Sequence, residues 1–363
     1  MPAHYMQSLD SLPLINRIGP LISQPTQYTD TKDPCPVFDG KIWHIFGSGG
    51  SSQVEVWKIL HATAQSLEGP WQEQPPAILE GVSGDHVAAP GVVYDEQEKI
   101  FHMFVQKDFA ALGGTVEHLI SKNGTLFRHA DTALRSILNT GEAGIYDPQP
   151  TIIKGQKYLS YSGTPTAEQL PTFFLAKPDL YLAKSTTNSW DGPWERMGRI
   201  LGHEEVPHHN QHDHPDYEWG LEGSQLLELP NGKILMNAVC FLPDGPRGTR
   251  QRIFFAVANK VTGPYKSLGV MLNPTPNGWE SGENGHAAAF IDGNALHLFY
   301  QARGLNDSSN RWRYGIASYD LMKLQYLSDI STESKKLLNP LTLMRNWRDY
   351  VKIRITRRDL FKH

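Results

Sequence analysis

The chain has 363 residues, 39% hydrophobic and 20% charged, which is ordinary for a globular protein with room for one large β-domain or two medium ones. A formal charge of −4 argues against a nucleic-acid binder, and no stretch reaches the ~20 apolar residues of a membrane span. Two cysteines are too few for a disulfide framework, while 32 glycines and 25 prolines announce many turns between short strands.

The N-terminal "MPAHYMQSLDSLPLINRIGPL" lacks a charged start followed by a long apolar run, so no signal peptide and a cytoplasmic location are expected. From Asp33 onward one pattern recurs five times: "DPCPVFDGKIWHIFGS" from Asp33, "APGVVYDEQEKIFHMFVQ" from Ala89, "DPQPTIIKGQKYLSYSG" from Asp147, "EGSQLLELPNGKILMNAV" from Glu222 and "HAAAFIDGNALHLFYQAR" from His286. Each is a polar start, an apolar strand, a turn of Asp, Asn, Gly or Lys, and a second apolar strand. The starts lie 56, 58, 75 and 64 residues apart. A second repeat follows in three units, "ILHATAQSLEGPW", "LYLAKSTTNSWDGPW" and "IFFAVANKVTGPY", so each unit offers about four strands. The recurring aromatics Trp71, Trp194 and Tyr265 read as packing residues.

Five four-stranded units predict an all-β fold, a five-bladed β-propeller, because radial stacking buries both faces of each twisted sheet. The expected boundaries are an N-terminal extension (1–29), the propeller (30–335) and a basic tail (336–363). Within that tail, residues 341–363 carry seven Lys/Arg against two Asp and are expected to pack beneath the propeller.

In a propeller the innermost strands line a central channel, so equivalent positions converge. The starts Asp33, Ala89, Asp147, Glu222 and His286 therefore gather four titratable groups round one cavity, where charge is costly unless paired or used. A single Asp-Pro turn is usually structural; four titratable groups at one repeat position are not so easily explained.

Asp33-Pro34, Asp147-Pro148, Glu222-Gly223 and Gly285-His286, in this order on five repeats, resemble the family 43 glycoside hydrolases and their five-bladed relatives. The resemblance spans roughly residues 30–330. It implies hydrolysis of a glycosidic bond with inversion, on a pentose-containing glycoside such as an arabinoside or xyloside. Asp33 would match the general base, Glu222 the general acid, and Asp147 the residue that orients the acid and raises its pKa. His286 would match the channel histidine that holds a water or a calcium ion, the one metal expected. Arg303 would reach back to the sugar, and Trp219 and Trp43 offer flat faces for stacking, although Trp43 inside a strand reads more readily as core. The family tryptophan before Ala-Pro is replaced here by Ala88, with Asp85 and His86 near enough to rebuild that wall.

Two readings compete with this one: a retaining fructoside-type glycosidase or transglycosylase with Asp33 as nucleophile, and a sugar-binding propeller without catalysis. Residues 201–220 hold five histidines and five acids and read as a solvated loop at the pocket rather than a metal motif. Cys35, two residues after Asp33, reads as an inert buried thiol. Replacing His286 by Ala is expected to cost activity far more than stability.

Overall fold

The computed structural model describes residues 14–22, 30–51, 54–84, 87–108, 114–165, 177–206, 220–243, 249–304 and 311–333. The basic tail, Asp85, His86, Trp219 and most of the histidine-rich loop lie outside the described residues.

The first strand is β1 (Leu14–Ile18). Blade one holds β2 (Asp30–Phe38), β3 (Trp43–Ser51), β4 (Val54–Ala64) and β5 (Gln72–Gln74). Blade two holds β6 (Ile78–Glu80), β7 (Ala88–Asp95), β8 (Ile100–Lys107), β9 (Thr115–Ser121) and β10 (Leu126–Arg135). Blade three holds β11 (Gly144–Ile153), β12 (Gln156–Thr164), β13 (Asp179–Ser185) and β14 (Trp194–Leu201). Blade four holds β15 (Glu222–Glu228), β16 (Ile234–Pro243), β17 (Thr249–Ala258) and β18 (Lys266–Leu272). Blade five holds β19 (Glu283–Asp292), β20 (Ala295–Arg303) and β21 (Arg313–Asp320), and its fourth strand is β1.

The inner strands β2, β7, β11, β15 and β19 touch in sequence, and β19 touches β2 again, which closes the ring. Five apolar clusters fill the five blade boundaries. Phe46, Met103 and Phe127 pack between blades one and two, for example, and Leu235, Phe255 and Leu298 between four and five. Trp71 and Tyr265 are buried and Trp194 packs against the cluster between blades two and three, so the Gly-Pro-aromatic residues are packing residues. Each blade thus buries both faces, as the sequence pattern predicts.

Three features differ from the sequence expectation. Residues 14–18, assigned to an extension outside the propeller, form an antiparallel pair with β21 and supply the outer strand of blade five. Blade two gains a fifth strand, because β6 joins the edge of β10 in parallel. After β21 the chain forms helix α1 (Leu321–Glu333), which places Leu321, Leu324 and Leu327 on one buried face. No helix among the described residues is long and apolar enough to cross a membrane.

Candidate active site

Every inner strand carries the same local irregularity. Its register with the second strand slips between Lys32 and Cys35, Ala88 and Gly91, Tyr146 and Gln149, Glu222 and Gln225, and Gly285 and Ala288. Each slip is a bulge whose extra residue has a left-handed backbone: Asp33 (φ 55°), Ala89 (50°), Asp147 (52°), Gly223 (56°) and His286 (35°). A bulge bends the strand and re-aims a side chain, which is why bulges gather at active sites.

This register corrects the repeat alignment. In blade four the residue equivalent to Asp33 is Gly223, and Glu222 stands one place earlier, level with Lys32, Ala88, Tyr146 and Gly285. Glu222 reaches the cluster from that earlier position. Gly223 is needed beside it, since a Cβ there would come within 2.9 Å of His286 Nδ1.

The bulges are tied from blade to blade. The backbone N–H of Asp33 donates to Gln301 Oε1 (2.8 Å), that of Ala89 to Ser48 Oγ (2.7 Å), that of Asp147 to Gln106 Oε1 (3.0 Å) and that of Gly223 to Ser162 Oγ (3.3 Å). Each acceptor lies on the second strand of the preceding blade. At the boundary of blades four and five the matching position is Val239, which has no polar side chain to offer. Gln106 and Gln301 were missed in the sequence, although "FVQ" and "FYQ" at matching places in β8 and β20 carry the signal.

Three carboxylates surround one imidazole. His286 Nδ1 lies 3.2 Å from Asp33 Oδ1 and 3.7 Å from Asp147 Oδ2, and His286 Nε2 lies 3.2 Å from Glu222 Oε2. All four side chains are at most 10% exposed. Burial works against a charged His286, but Asp147, Asp33 and Glu222 together outweigh it and raise its pKa to about 9. Burial also raises Asp147, to about 7, with His286 pulling it down and the charges of Glu222 and Asp33 pushing it up. Asp147 Oδ2 makes no hydrogen bond. Tyr146, another residue that sequence reasoning missed, is held protonated by burial and by its neighbours Glu222 and Asp147.

Asp147, Glu222 and His286 offer ligand atoms within 4.8 Å of one another. A calcium ion bound directly does not fit them, however. It prefers six to eight oxygen ligands, whereas His286 turns one nitrogen towards Asp33 and Asp147 and the other towards Glu222. Both His286 nitrogens already face carboxylates, and when protonated the ring itself supplies positive charge to them.

Arg303 ends β20, the strand that also carries Gln301. Its Nε donates to Glu283 Oε1 (2.5 Å) and its guanidinium lies over the Trp312 ring at 4.6 Å. Glu283 also accepts the Gln251 N–H, and Gln251 accepts from Gln301, so a chain of bonds runs from Arg303 to the Asp33 backbone. Trp43 is not in the site. It pairs with Phe38 at the far end of the β2–β3 hairpin and packs on Phe290 with ring centroids 4.8 Å apart, because the strand's alternation turns it into the boundary of blades one and five. Cys35 is buried, accepts the Val92 N–H at 3.2 Å, and has its thiol pushed by burial up to about 12, so it is inert at neutral pH. His203, at the start of the histidine-rich loop, pairs with Asp179 at 2.7 Å.

No family model matches the sequence, and no curated protein does. Solved structures do match in fold. An α-L-arabinofuranosidase from Podospora anserina, solved with cellotriose, is 14% identical over 86% of this chain and 98% of its own, with a TM-score of 0.60. The catalytic domain of a family 62 α-L-arabinofuranosidase from Coprinopsis cinerea is 15% identical over 85% and 98%, with a TM-score of 0.62. A thermostable family 43 glycoside hydrolase is 16% identical over 82% and 91%, with a TM-score of 0.54. The chain is a five-bladed β-propeller, and its structural neighbours are glycosidases of that architecture.

Proposed function

We propose that this chain is an inverting glycosidase acting on a pentose-containing glycoside, an arabinoside or xyloside. The observation that carries the reading is the buried cluster of Asp33, Asp147 and Glu222 round His286. Hydrolysis of a glycoside needs a carboxylic acid at the leaving oxygen and a carboxylate that activates water on the opposite face. Asp33 and Glu222 contact opposite nitrogens of one ring, so their contacting oxygens are at most roughly 9 Å apart, compatible with the roughly 6.5–9.5 Å that admits such a water. Asp33 acts as base, Glu222 as acid, and Asp147 orients the acid. His286, as imidazolium, lies between Asp33 and Glu222 and offsets the charge of Asp33, the group that must stay ionised, while Glu222 carries the proton it donates. The pentose preference rests on the arabinofuranosidases among the fold's neighbours.

The test is a panel of aryl α-L-arabinofuranosides and β-D-xylosides, assayed with the wild type, Asp33→Asn and Glu222→Gln. Turnover by the wild type should fall by roughly 10²–10⁴ in each variant, and the first product, read by NMR, should have the inverted anomeric configuration. Retention would make Asp33 a nucleophile instead. Tight sugar binding without turnover would make the propeller a binding protein.

A further inference from the structure

Lys32 immediately precedes Asp33, and its ammonium stands 5.7 Å from the Trp57 ring and 5.9 Å from the Trp312 ring. Arg303 lies over the same Trp312 ring. Trp57, Lys32, Trp312 and Arg303 therefore form a run of alternating rings and cations beside the carboxylates, each ring held in orientation by its cation.

At its blade-one end this run meets a groove of about 480 Å³, walled by Trp57, Pro75, Pro76, Ile78, Leu79 and Val82. That volume falls within the roughly 300–1,000 Å³ of small-molecule sites. Its place in the fold follows from register. Trp57 lies on β4 two residues before Ile59, which pairs with Ser48, and Ser48 pairs with Lys32. Val87, also in the lining, directly precedes Ala88 and the bulge residue Ala89. Trp57 and Val87 thus place one end of the groove radially outward from the bulges, while its β6 wall, with Ile78 and Leu79, is level with the far end of β7.

The lining selects the occupant. Apart from Lys58, every side chain in it is apolar. A bare sugar would find only Lys58, the Trp57 N–H and backbone groups as partners for its hydroxyls there, and any hydroxyl left unpaired is costly. A flat aromatic ring buries only carbon and lies well against an indole. Ile78, 59% exposed, is apolar surface that such a ring would cover.

We propose that the groove between blades one and two binds an aromatic ring carried by the aglycone of the substrate, with Trp57 as its stacking platform. The identity of the ring's carrier rests on the glycosidase reading; the affinity for aromatic rings does not.

The experiment has two arms, both on the full chain. In the first, binding of 2-naphthol is measured by NMR titration for the wild type, Trp57→Ala and Ile78→Glu, the last at an exposed position where a charge leaves packing intact. Saturable binding to the wild type, weakened at least tenfold in both variants, is expected. No saturable binding, or equal binding by all three proteins, overturns the proposal. In the second arm, kcat/KM for naphthyl and methyl pentosides is compared, and the naphthyl preference should fall at least fivefold in both variants. If naphthol binds through Trp57 while no pentoside is cleaved, the glycosidase reading fails and the aromatic site stands. If pentosides are cleaved with no naphthyl preference, the glycosidase reading stands and the aglycone site fails.

Discussion

His286 is protonated because three carboxylates face it, and this fixes the sign of its pH dependence. Its pKa of about 9 lies above the unfolded value of about 6.5. The stability it contributes is therefore fully present below about pH 6.5 and is lost as pH rises through 9. Turnover should fall over the same alkaline limb, which a kcat/KM profile will show. His286→Ala is expected to cost activity more than stability, but the geometry gives it a stability cost as well. Removing the one group that faces all three carboxylates should cost about 3 kcal/mol, visible as a lower melting temperature. The acid side belongs to other histidines. His44 Nδ1 and His61 Nε2 lie 2.9 Å apart in blade one, as do His102 Nδ1 and His118 Nε2 in blade two, all four buried. Burial lowers His61 and His102 to about 4 and His118 to about 3. Groups depressed in the fold contribute stability above about pH 6.5 that is lost as pH falls towards 4. Melting temperature against pH should thus form a dome, and His118→Phe should flatten its acid side. The carboxylates were legible in the sequence because they recur at strand starts. The histidine pairs were not, since their partners lie on neighbouring strands and no local pattern links them.

Each bulge imposes a left-handed residue on an inner strand, and blade four alone uses glycine there. Gly223→Ala should be doubly harmful. The backbone conformation costs a non-glycine residue roughly 1–2 kcal/mol, and the new Cβ would displace His286. A fall of at least tenfold in kcat, together with a lower melting temperature, is the expected readout. Ala89→Gly tests the same conformation without touching the cluster. The relief of strain is partly cancelled by glycine's entropy of roughly 0.5–1 kcal/mol, so stability should hold or rise by up to about 1 kcal/mol in chemical denaturation. The blade pattern itself was plain in the sequence, because strand alternation and turn residues are local. The bulge was not: matching Glu222 to Asp147 by chemistry hid that Gly223 is the structural equivalent. Helix α1 carries its apolar residues three apart, a signal present in "LMKLQYLSDISTE" and concealed by its position directly after a strand.

Across the whole molecule apolar packing fills the boundaries between blades, and blade five depends besides on an internal contact that the sequence pattern did not reveal. Arg17 on β1 reaches Glu280, which is 6% exposed and accepts the Tyr300 hydroxyl at 2.5 Å. Arg17→Ala should leave a buried carboxylate without its cation, at a cost of about 3 kcal/mol in a denaturant titration. The strand that carries Arg17 has no local signal of its place in the propeller because its partner is remote, Leu14 pairing with Tyr319. This pairing governs how the protein can be made. On a ribosome β1 emerges early and must wait until almost the entire propeller has been synthesised before β21 appears. Blades one to four can form in order from neighbouring sequence, while blade five cannot be completed until the two distant segments meet. Closing so long a loop is slow, and until it happens the edge of β21 offers unpaired N–H and C=O groups to any other strand. Aggregation of nascent chains is therefore expected to peak once β20 and β21 have emerged and before β1 has joined them, when blade five stands open.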